Sequence, residues 1–193
     1  MTPFNIHSIS QAPEAAKPLL TGAQQKFGFV PNLMGRFAES PATLQAYLDL
    51  GSLVEKTSLT PVEQQVVLLA ASVENHCTYC VAAHSMIAKR MAKAESAIVE
   101  ALRQQQPLSD PKLDALAVFT RAVVKQRGMV AGDLLSDFLG AGYTPQQALD
   151  VLLGVTMKTL SNYANHIMGA TTLDAAFQSE AWDAPVQCTE QCC

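Results

Sequence analysis

Apolar residues recur at spacings of three and four along most of this 193-residue chain, as they do in helices that bury one face. The segment 60–75 has the clearest pattern, with apolar positions at Val66, Val67, Leu69, Ala70 and Val73. Alternating, strand-like runs are scarce. The pattern therefore predicts an all-α protein.

Helix boundaries are marked by typical start and stop residues. Three predicted helices begin with a hydroxyl side chain followed by proline, which joins a good N-cap to a good first helical residue. These pairs are Ser40-Pro41, Thr60-Pro61 and Thr144-Pro145. Gly28 and Gly128 follow apolar segments and are typical helix ends. Residues 1–182 are predicted to form a single all-α domain, in which residues 1–27 provide an N-terminal extension and the first helix.

The last eleven residues, 183–193, read "DAPVQCTEQCC" and have no helical period. They are predicted to form a mobile tail that carries Cys188, Cys192 and Cys193. Three thiols on a flexible tether could pass electrons to a nearby disulfide or bind a soft metal ion. The alternative is an idle terminus whose cysteines oxidise only during handling.

Two segments of the chain resemble each other. Residues 60–82 and 144–166 are identical at six of 23 positions when they are aligned at Thr-Pro, and Cys77 then falls on Ser161. This match would result from a helical bundle built of duplicated halves, of which one kept the cysteines. Two apolar helices with the same start signal would give the same match.

Composition and charge limit the partners of the chain. Apolar residues make up 49% and charged residues 16%, which is a low charge content for a solitary small domain, so we expect a homo-oligomer. The net charge of -4, without a basic block, argues against nucleic acid and anionic membranes as partners. No apolar run reaches transmembrane length, and the N-terminus lacks a signal-peptide pattern, so a cytoplasmic protein is expected.

The candidate chemistry lies in the segment "ENHCTYCVAAHS". If one continuous helix covers it, Glu74, Cys77, Cys80 and His84 share one stripe of that helix. If a new helix begins near Thr78 instead, Cys80 lies in its first turn, where exposed N–H groups favour a thiolate. An adjacent imidazole could then take the thiol proton. Either arrangement offers an attacking thiol, a base and a resolving thiol.

Three interpretations of this segment compete. A redox dithiol is favoured, because in a reducing cytoplasm a close pair of cysteines is catalytic, redox-sensing or metal-binding more often than structural. Cys77, Cys80 and His84 could alternatively supply three ligands to zinc or another soft metal. Ordinary core packing of two cysteines is the third interpretation.

Four segments of the chain resemble one protein family. "NHCTYCVAAHS" is similar to the C-x-x-C-x-x-x-H signature of the AhpD-like alkylhydroperoxidases, in the carboxymuconolactone decarboxylase family. "GFVPNLMGRFAESP", "LTPVEQQVVLLAAS" and "LSNYANHIMGATTLDAAF" resemble the segments around that signature, so the likeness covers most of residues 28–177. The resemblance implies an AhpD-like helical bundle that assembles into a homo-oligomer, a trimer or a hexamer.

The resemblance also implies catalytic roles. Cys80 would be the peroxidatic cysteine, Cys77 its resolving partner, and His84 a member of the proton relay that activates Cys80. The relay normally includes a glutamate twelve residues before the first cysteine, where this chain has Gln65. Some members carry a histidine just before the second cysteine, where this chain has Tyr79.

Two carboxylates are candidates to replace the missing relay glutamate. Glu74 is preferred because it lies about one turn before the first cysteine, whereas Glu63 lies on a different helical side from the expected position. Twelve residues of unbroken helix span about 18 Å, so a residue that far back reaches the cysteines only if the chain bends. His166 is a weak candidate, because a core histidine is the simpler interpretation.

The favoured hypothesis is a thiol peroxidase that reduces an organic hydroperoxide to an alcohol without a cofactor or a bound metal. Oxidised Cys80 would condense with Cys77, and a lipoyl protein or a thioredoxin-like dithiol would restore both thiols. One alternative is a metal- or metalloid-binding protein that uses these cysteines, His84 and the tail cysteines. Another is a decarboxylase-type lyase acting on a lactone, which would stay largely active after its thiols were alkylated.

Overall fold

The computed structural model describes residues 3–130 and 132–184. Within these segments the chain forms nine α-helices, two short 3₁₀-helices and no strand, so the predicted all-α class is confirmed. The 3₁₀-helices span Glu14–Ala16 and Ala175–Glu180. The α-helices are α1 (Lys17–Phe27), α2 (Asn32–Phe37), α3 (Pro41–Val54), α4 (Pro61–Glu74), α5 (Thr78–Arg90), α6 (Ser96–Arg103), α7 (Pro111–Lys125), α8 (Gly132–Gly140) and α9 (Pro145–Ile167).

The predicted helix starts are confirmed by their cap geometry. Thr60 and Glu63 form a reciprocal capping box at the start of α4, in which each side chain accepts from the backbone N–H of the other residue. Thr144 and Gln147 repeat this arrangement at the start of α9. Ser40 caps α3 through the backbone N–H of Thr43. Since each cap satisfies backbone donors that would otherwise lack partners, the Thr-Pro and Ser-Pro pairs fix where these helices begin.

Helix α4 lies at the centre of the bundle. It packs against α5, α7 and α9, and its side chains from Val66 to Val73 are buried on every side. Two apolar clusters meet along it: one is formed mainly with α1, α2, α3 and the start of α5, and the other with α6, α7 and α8. The side chains that α5 and α9 direct towards α4 are therefore withdrawn from water.

A close approach between α9 and α4 occurs at Gly154. A Cβ atom at this position would lie 2.8 Å from Cγ1 of Val67, which is closer than two carbon atoms pack. The two helices can approach this closely only because Gly154 has no side chain. One turn further along α9, this spacing places Lys158 in the centre of the molecule.

The chain bends between α4 and α5, so of the two arrangements left open by the sequence, the continuous helix does not occur. Helix α4 ends at Glu74, and α5 begins at Thr78. His76 adopts a left-handed conformation with φ of 52°, and the N–H of Cys77 donates to the carbonyl of Ser72. Two polar residues, Asn75 and His76, occupy the turn, and residues of this kind favour the end of an apolar helix.

The C-terminal part of the described chain folds back over the start of α5. It contains a single turn-rich element, the 3₁₀-helix Ala175–Glu180. Asp174 precedes it and accepts hydrogen bonds from the backbone N–H of Asn32 and the hydroxyl of Tyr79. The predicted mobile tail begins at the end of this segment, and its cysteines, Cys188, Cys192 and Cys193, lie outside the described residues.

In the segments that the structure describes, no helix combines the length and the apolar character needed to cross a membrane.

Candidate active site

The start of α5 positions the two cysteines. Cys77 is the N-cap residue of α5, with an extended backbone, and Cys80 lies in the first helical turn. Both are free thiols, and they are 0% and 2% exposed, respectively. The second of the two predicted arrangements is thus the observed one, with Cys77 rather than Thr78 at the cap. The partial positive charge of the helix N-terminus favours a thiolate at Cys80.

The two thiols differ in acidity. A hydrogen bond from Cys77, the positive charge of Lys158 and contacts with Ser161 and Asn162 lower the pKa of Cys80 to about 5, against the opposing effect of burial. The hydrogen bond to Cys80 and burial both raise the pKa of Cys77. Cys80 is therefore the thiolate of the pair at neutral pH, and Cys77 keeps its proton.

Lys158 of α9 supplies the positive charge at this site. Its side chain is 0% exposed, and Nζ lies 3.0 Å from Nε2 of His84 and within hydrogen-bond reach of Cys80. Burial opposes the ammonium form, but interactions with the Cys80 thiolate first, and with Tyr47 and Cys77 next, outweigh it and raise the pKa of Lys158. This lysine belongs to none of the motifs predicted from the sequence to carry chemistry.

His84 lies between Lys158 and Gln65. An ammonium group can only donate, so Nε2 of His84 accepts from Lys158. The proton of the neutral ring is then on Nδ1, which donates to Oε1 of Gln65 at 3.0 Å. Burial, together with the charge of Lys158, lowers the pKa of His84 well below its ordinary value. His84 is therefore a neutral acceptor in the reduced protein.

The bend between α4 and α5 decides which of the candidate relay residues reaches His84. Gln65, twelve residues before Cys77, is brought back to hydrogen-bond distance. Glu74 remains at the turn, where Oε1 lies 3.5 Å from Nζ of Lys125; its Oε2 has no hydrogen-bond partner among the described residues. The structure therefore does not bring Glu74 to His84.

Three further candidates from the sequence take other positions. Glu63 belongs to the cap of α4, where bonds to Thr60 lower the pKa of its carboxyl against the effect of burial. Tyr79 donates to Asp174 at 2.6 Å; burial and this bond raise the pKa of its hydroxyl, so it fastens the C-terminal segment. His166 is exposed on α9. The structure does not join these side chains to the dithiol.

Polar residues of α9 complete the surroundings of the sulfur atoms. Nδ2 of Asn165 donates to Sγ of Cys77 at 3.4 Å, and Oγ of Ser161 lies 3.9 Å from Sγ of Cys80. Oδ1 of Asn162 accepts from the side chain of Asn75 at the turn. A signal for this set was present in the sequence. Polar residues at 158, 161, 162 and 165 continue the helical spacing of buried residues that begins at 151, 154 and 155.

An apolar cavity of about 290 Å³ reaches His84, the histidine of the site. Gln65 and His84, which are hydrogen-bonded to each other, line it together with Tyr47 and Tyr79, whereas neither cysteine is a lining residue. The remaining wall is largely aromatic and aliphatic and includes Phe27, Phe29, Leu68, Met86, Met157 and Phe177. The cavity therefore suits a small apolar molecule held near His84.

The geometry gives little support to a metal site. Among the described residues, no group of three or more His, Cys, Asp and Glu side chains is arranged to hold a metal ion. Both ring nitrogens of His84 are already bonded, one to Gln65 and one to Lys158. An ammonium group beside a thiolate would also repel a cation.

Comparison with known proteins agrees with the sequence motifs. Residues 41–121 match the model of the carboxymuconolactone decarboxylase family, so the predicted resemblance is confirmed. A search of curated protein sequences gave no significant match.

Solved structures share the fold of this chain. A peroxidase-related protein with an alkylhydroperoxidase AhpD core, from Ralstonia eutropha JMP134, has a TM-score of 0.79 and 23% identity over 91% of this chain and 94% of that chain. A peroxidase-related protein from Silicibacter sp. TM1040 has a TM-score of 0.77 and 16% identity, over 93% of this chain and 95% of its own. The debrominase Bmp8, in complex with 2,3,4-tribromopyrrole, has a TM-score of 0.78 and 18% identity, over 93% of this chain and 96% of its own.

Proposed function

The chain carries a carboxymuconolactone decarboxylase-family region in an AhpD-like fold, and we propose that it is a thiol peroxidase that reduces organic hydroperoxides. The thiolate of Cys80 attacks the O–O bond and becomes a sulfenic acid. Cys77 then condenses with it to form a disulfide, and an external dithiol restores both thiols.

The observation that carries this proposal is the inequality of the two thiols. A peroxidatic cysteine must be a thiolate, because the thiol is a poor nucleophile. A resolving cysteine has no such need until the sulfenic acid has formed. The lowered pKa of Cys80 and the raised pKa of Cys77 match these two requirements.

The cavity supports an organic hydroperoxide as the substrate. Its apolar wall would hold an alkyl or aryl group of modest size, and His84 and Tyr79, which belong to the same helix as Cys80, are among its lining residues. Because both sulfur atoms are buried, the reductant must enter the interior of the protein to reach them. A dihydrolipoyl arm, which is long and thin, suits this path better than a cysteine fixed to the surface of a thioredoxin-like domain.

The test is a peroxide-reduction assay with matched donors. Cumene hydroperoxide and hydrogen peroxide are each supplied with dihydrolipoamide or with reduced thioredoxin. We expect turnover of cumene hydroperoxide with dihydrolipoamide, and none in the Cys80→Ser variant. Absence of hydroperoxide consumption by the reduced wild-type protein, even in a single turnover, would overturn the proposal.

A second candidate reaction is reductive removal of a halogen from an aromatic ring. The aromatic lining of the cavity favours it, and Bmp8 shares the fold. The same dithiol would supply two electrons, so that a bromoarene and two thiols give the arene, bromide, a proton and a disulfide. Release of bromide from a bromopyrrole, without consumption of hydroperoxides, would favour this function over the first.

The alternatives drawn from the sequence give different results in simple assays. A metal-binding protein would retain about one metal ion per chain after purification without chelator. A lactone decarboxylase would keep its activity after both cysteines were alkylated. The peroxidase proposal predicts no retained metal and complete loss of activity on alkylation.

A further inference from the structure

The groups that face Lys158 carry little negative charge apart from the thiolate. Cys77 and Cys80 face it from the start of α5, His84 faces it from the middle of α5, and Tyr47 faces it from α3. His84 is neutral, and no carboxylate of the described residues is among the partners of Nζ. The sulfur atoms are therefore its main source of negative charge in the reduced protein.

Formation of the disulfide removes that negative charge. The side chain of Lys158 is 0% exposed, so its ammonium form would be left in an apolar interior without a counter-ion. An unpaired buried ammonium releases its proton rather than bear the cost of desolvation. A neutral amine can still donate to Nε2 of His84, so the contact of 3.0 Å survives the loss of charge.

We propose that Lys158 carries the second proton of the dithiol: it is an ammonium opposite the Cys80 thiolate and a neutral amine opposite the Cys77–Cys80 disulfide. This deepens the proposed function, since in a peroxidase cycle that proton goes to the product. Lys158 is then both the counter-ion of the attacking thiolate and the acid for the leaving group.

The steps balance in atoms and charge. The thiolate of Cys80 forms an S–O bond as the O–O bond of ROOH breaks, and the leaving alkoxide takes a proton from Lys158 to give ROH. Cys77 next gives its proton to the amine of Lys158, and its sulfur attacks Cys80. The S–S bond forms, the S–O bond breaks, and the leaving hydroxide takes the proton from Lys158 to give water. The products are ROH, water, the disulfide and a neutral lysine.

The neighbours of Lys158 suit this role. His84 holds Nζ beside the sulfur atoms without adding a second positive charge, because its own proton is on Nδ1 and directed to Gln65. Cys77 is close enough for the charge of Lys158 to lower its pKa, although the hydrogen bond to Cys80 and burial dominate. A proton can therefore pass between the thiol and the amine within the same buried space.

The reduction potential of the cysteine pair tests the proposal without any peroxide. Each proton taken up with two electrons changes the equilibrium constant tenfold per pH unit, which is 29.6 mV. Between pH 6 and 8 we expect two protons to be taken up in the wild-type protein. Its equilibrium constant for reduction should then change by about a hundredfold per pH unit, and its reduction potential by about 59 mV per pH unit. The arginine of Lys158→Arg keeps its charge in the disulfide form, so only one proton is taken up on reduction. We expect the equilibrium constant of this variant to change by about tenfold per pH unit, and its reduction potential by about 30 mV per pH unit. Lys89→Met, which removes a lysine from the far end of α5, is the matched control and should keep the wild-type slope.

A second measurement identifies the proton carrier. Absorbance of the reduced protein at 240 nm counts thiolates, and we expect one in wild type, Lys158→Arg and Lys89→Met between pH 6 and 8. Lys158→Met should lose that thiolate at pH 6 and show alkylation of Cys80 slowed by roughly tenfold or more. Two protons per disulfide together with one thiolate mean that a group other than sulfur carries a proton.

The possible outcomes separate this inference from the proposed function. A one-proton slope in wild type, or the same two-proton slope in Lys158→Arg, would overturn the inference. If Lys158→Arg does not fold, the comparison of wild type with Lys158→Met decides the question. The inference then requires a two-proton slope with one thiolate in wild type, and the loss of that thiolate at pH 6 in Lys158→Met. A two-proton slope in a protein that reduces no hydroperoxide would uphold the inference and overturn the peroxidase. Failure of the two cysteines to form a disulfide would overturn both.

Discussion

Nζ of Lys158 lies 3.0 Å from Nε2 of His84, although 74 residues separate them in the chain and both side chains are buried. The contact accounts for the amide at position 65. A carboxylate there would favour the imidazolium form of His84, which would then face an ammonium group at hydrogen-bond distance. Gln65 accepts the same hydrogen bond without this effect, so the positive charge of the site stays on the lysine.

Replacing the two cysteines should have unequal effects. Cys80→Ser should abolish the reaction with hydroperoxide, because it removes the thiolate. Cys77→Ser should react once and then stall as a sulfenic acid on Cys80, since no resolving thiol remains. Stopped-flow kinetics and trapping with dimedone measure both outcomes. A single turnover by Cys80→Ser, with none by Cys77→Ser, would assign the roles the other way round.

The alkylation rate of Cys80 should depend on pH with a midpoint near 5, following its lowered pKa. Above this pH the thiolate predominates and reacts; below it the sulfur is protonated and the rate falls. The stability of the reduced protein relative to Cys80→Ser should fall as the pH is lowered from about 9 to about 5, because over this window the unfolded thiol binds a proton that the folded thiolate does not. Iodoacetamide kinetics followed by mass spectrometry give the midpoint. A midpoint in the ordinary thiol range would contradict the prediction.

Glu74→Gln and Lys158→Met compare two possible proton donors. The carboxylate of Glu74 contacts Lys125, so we expect its replacement to change the rate of Cys80 oxidation by less than roughly twofold. We expect Lys158→Met to lower that rate by roughly a hundredfold, a magnitude typical of the loss of a general acid. Single-turnover kinetics with cumene hydroperoxide measure both rates. A large effect of Glu74→Gln would support the relay suggested by the sequence.

Exposed apolar side chains on α9 support the expected homo-oligomer, a trimer or a hexamer. Leu149, Leu152, Tyr163 and Ile167 are between 46% and 75% exposed. We expect the double substitution Leu149→Glu and Ile167→Glu to give monomers, because two charges would be buried in the contact. Sedimentation velocity measures the change, and Leu135→Glu on α8 is the control. A wild-type protein that is monomeric at micromolar concentration would refute the prediction.

Gly154→Ala should destabilise the protein by about 1–3 kcal/mol, the usual cost of forcing an extra methyl group into a packed core. The new Cβ would meet Val67 at 2.8 Å, so α9 or Val67 must move. Gly140→Ala, where a Cβ would meet no atom within 4 Å, is the control and should be close to neutral. Urea denaturation gives both free energies of unfolding. Equal stability of the two variants would contradict the close approach.

The sequence predicted what depends on local chemistry. Thr60 and Thr144 cap their helices wherever those helices pack, so both starts could be read from the sequence alone. The cysteines and His84 are within eight residues of one another, and their proximity follows from local spacing. The preference for Glu74 assumes that one unbroken helix carries it and the cysteines. The helix ends before the turn at His76, so Glu74 does not lie beside His84.

The contacts of Lys158 with His84 and Cys80 could not be predicted from local spacing, because they depend on how α9 packs against α4 and α5. A lysine in an amphipathic helix is usually taken to face water. Its spacing from Val151, Gly154 and Val155 puts it on the buried face, however. The alignment of the two Thr-Pro segments pairs it with Glu74, so the position that holds the acidic residue at the turn holds the central cation in α9.

The close approach at Gly154 links the packing of the bundle to the chemistry of its thiols, so that both depend on one residue. A bulkier residue there would separate α9 from α4 and, one turn further on, withdraw the lysine from the sulfur atoms. A lineage could not replace this glycine for the sake of folding without also changing how readily its thiols are oxidised. Positions 154 and 158 should therefore be kept or lost together during evolution.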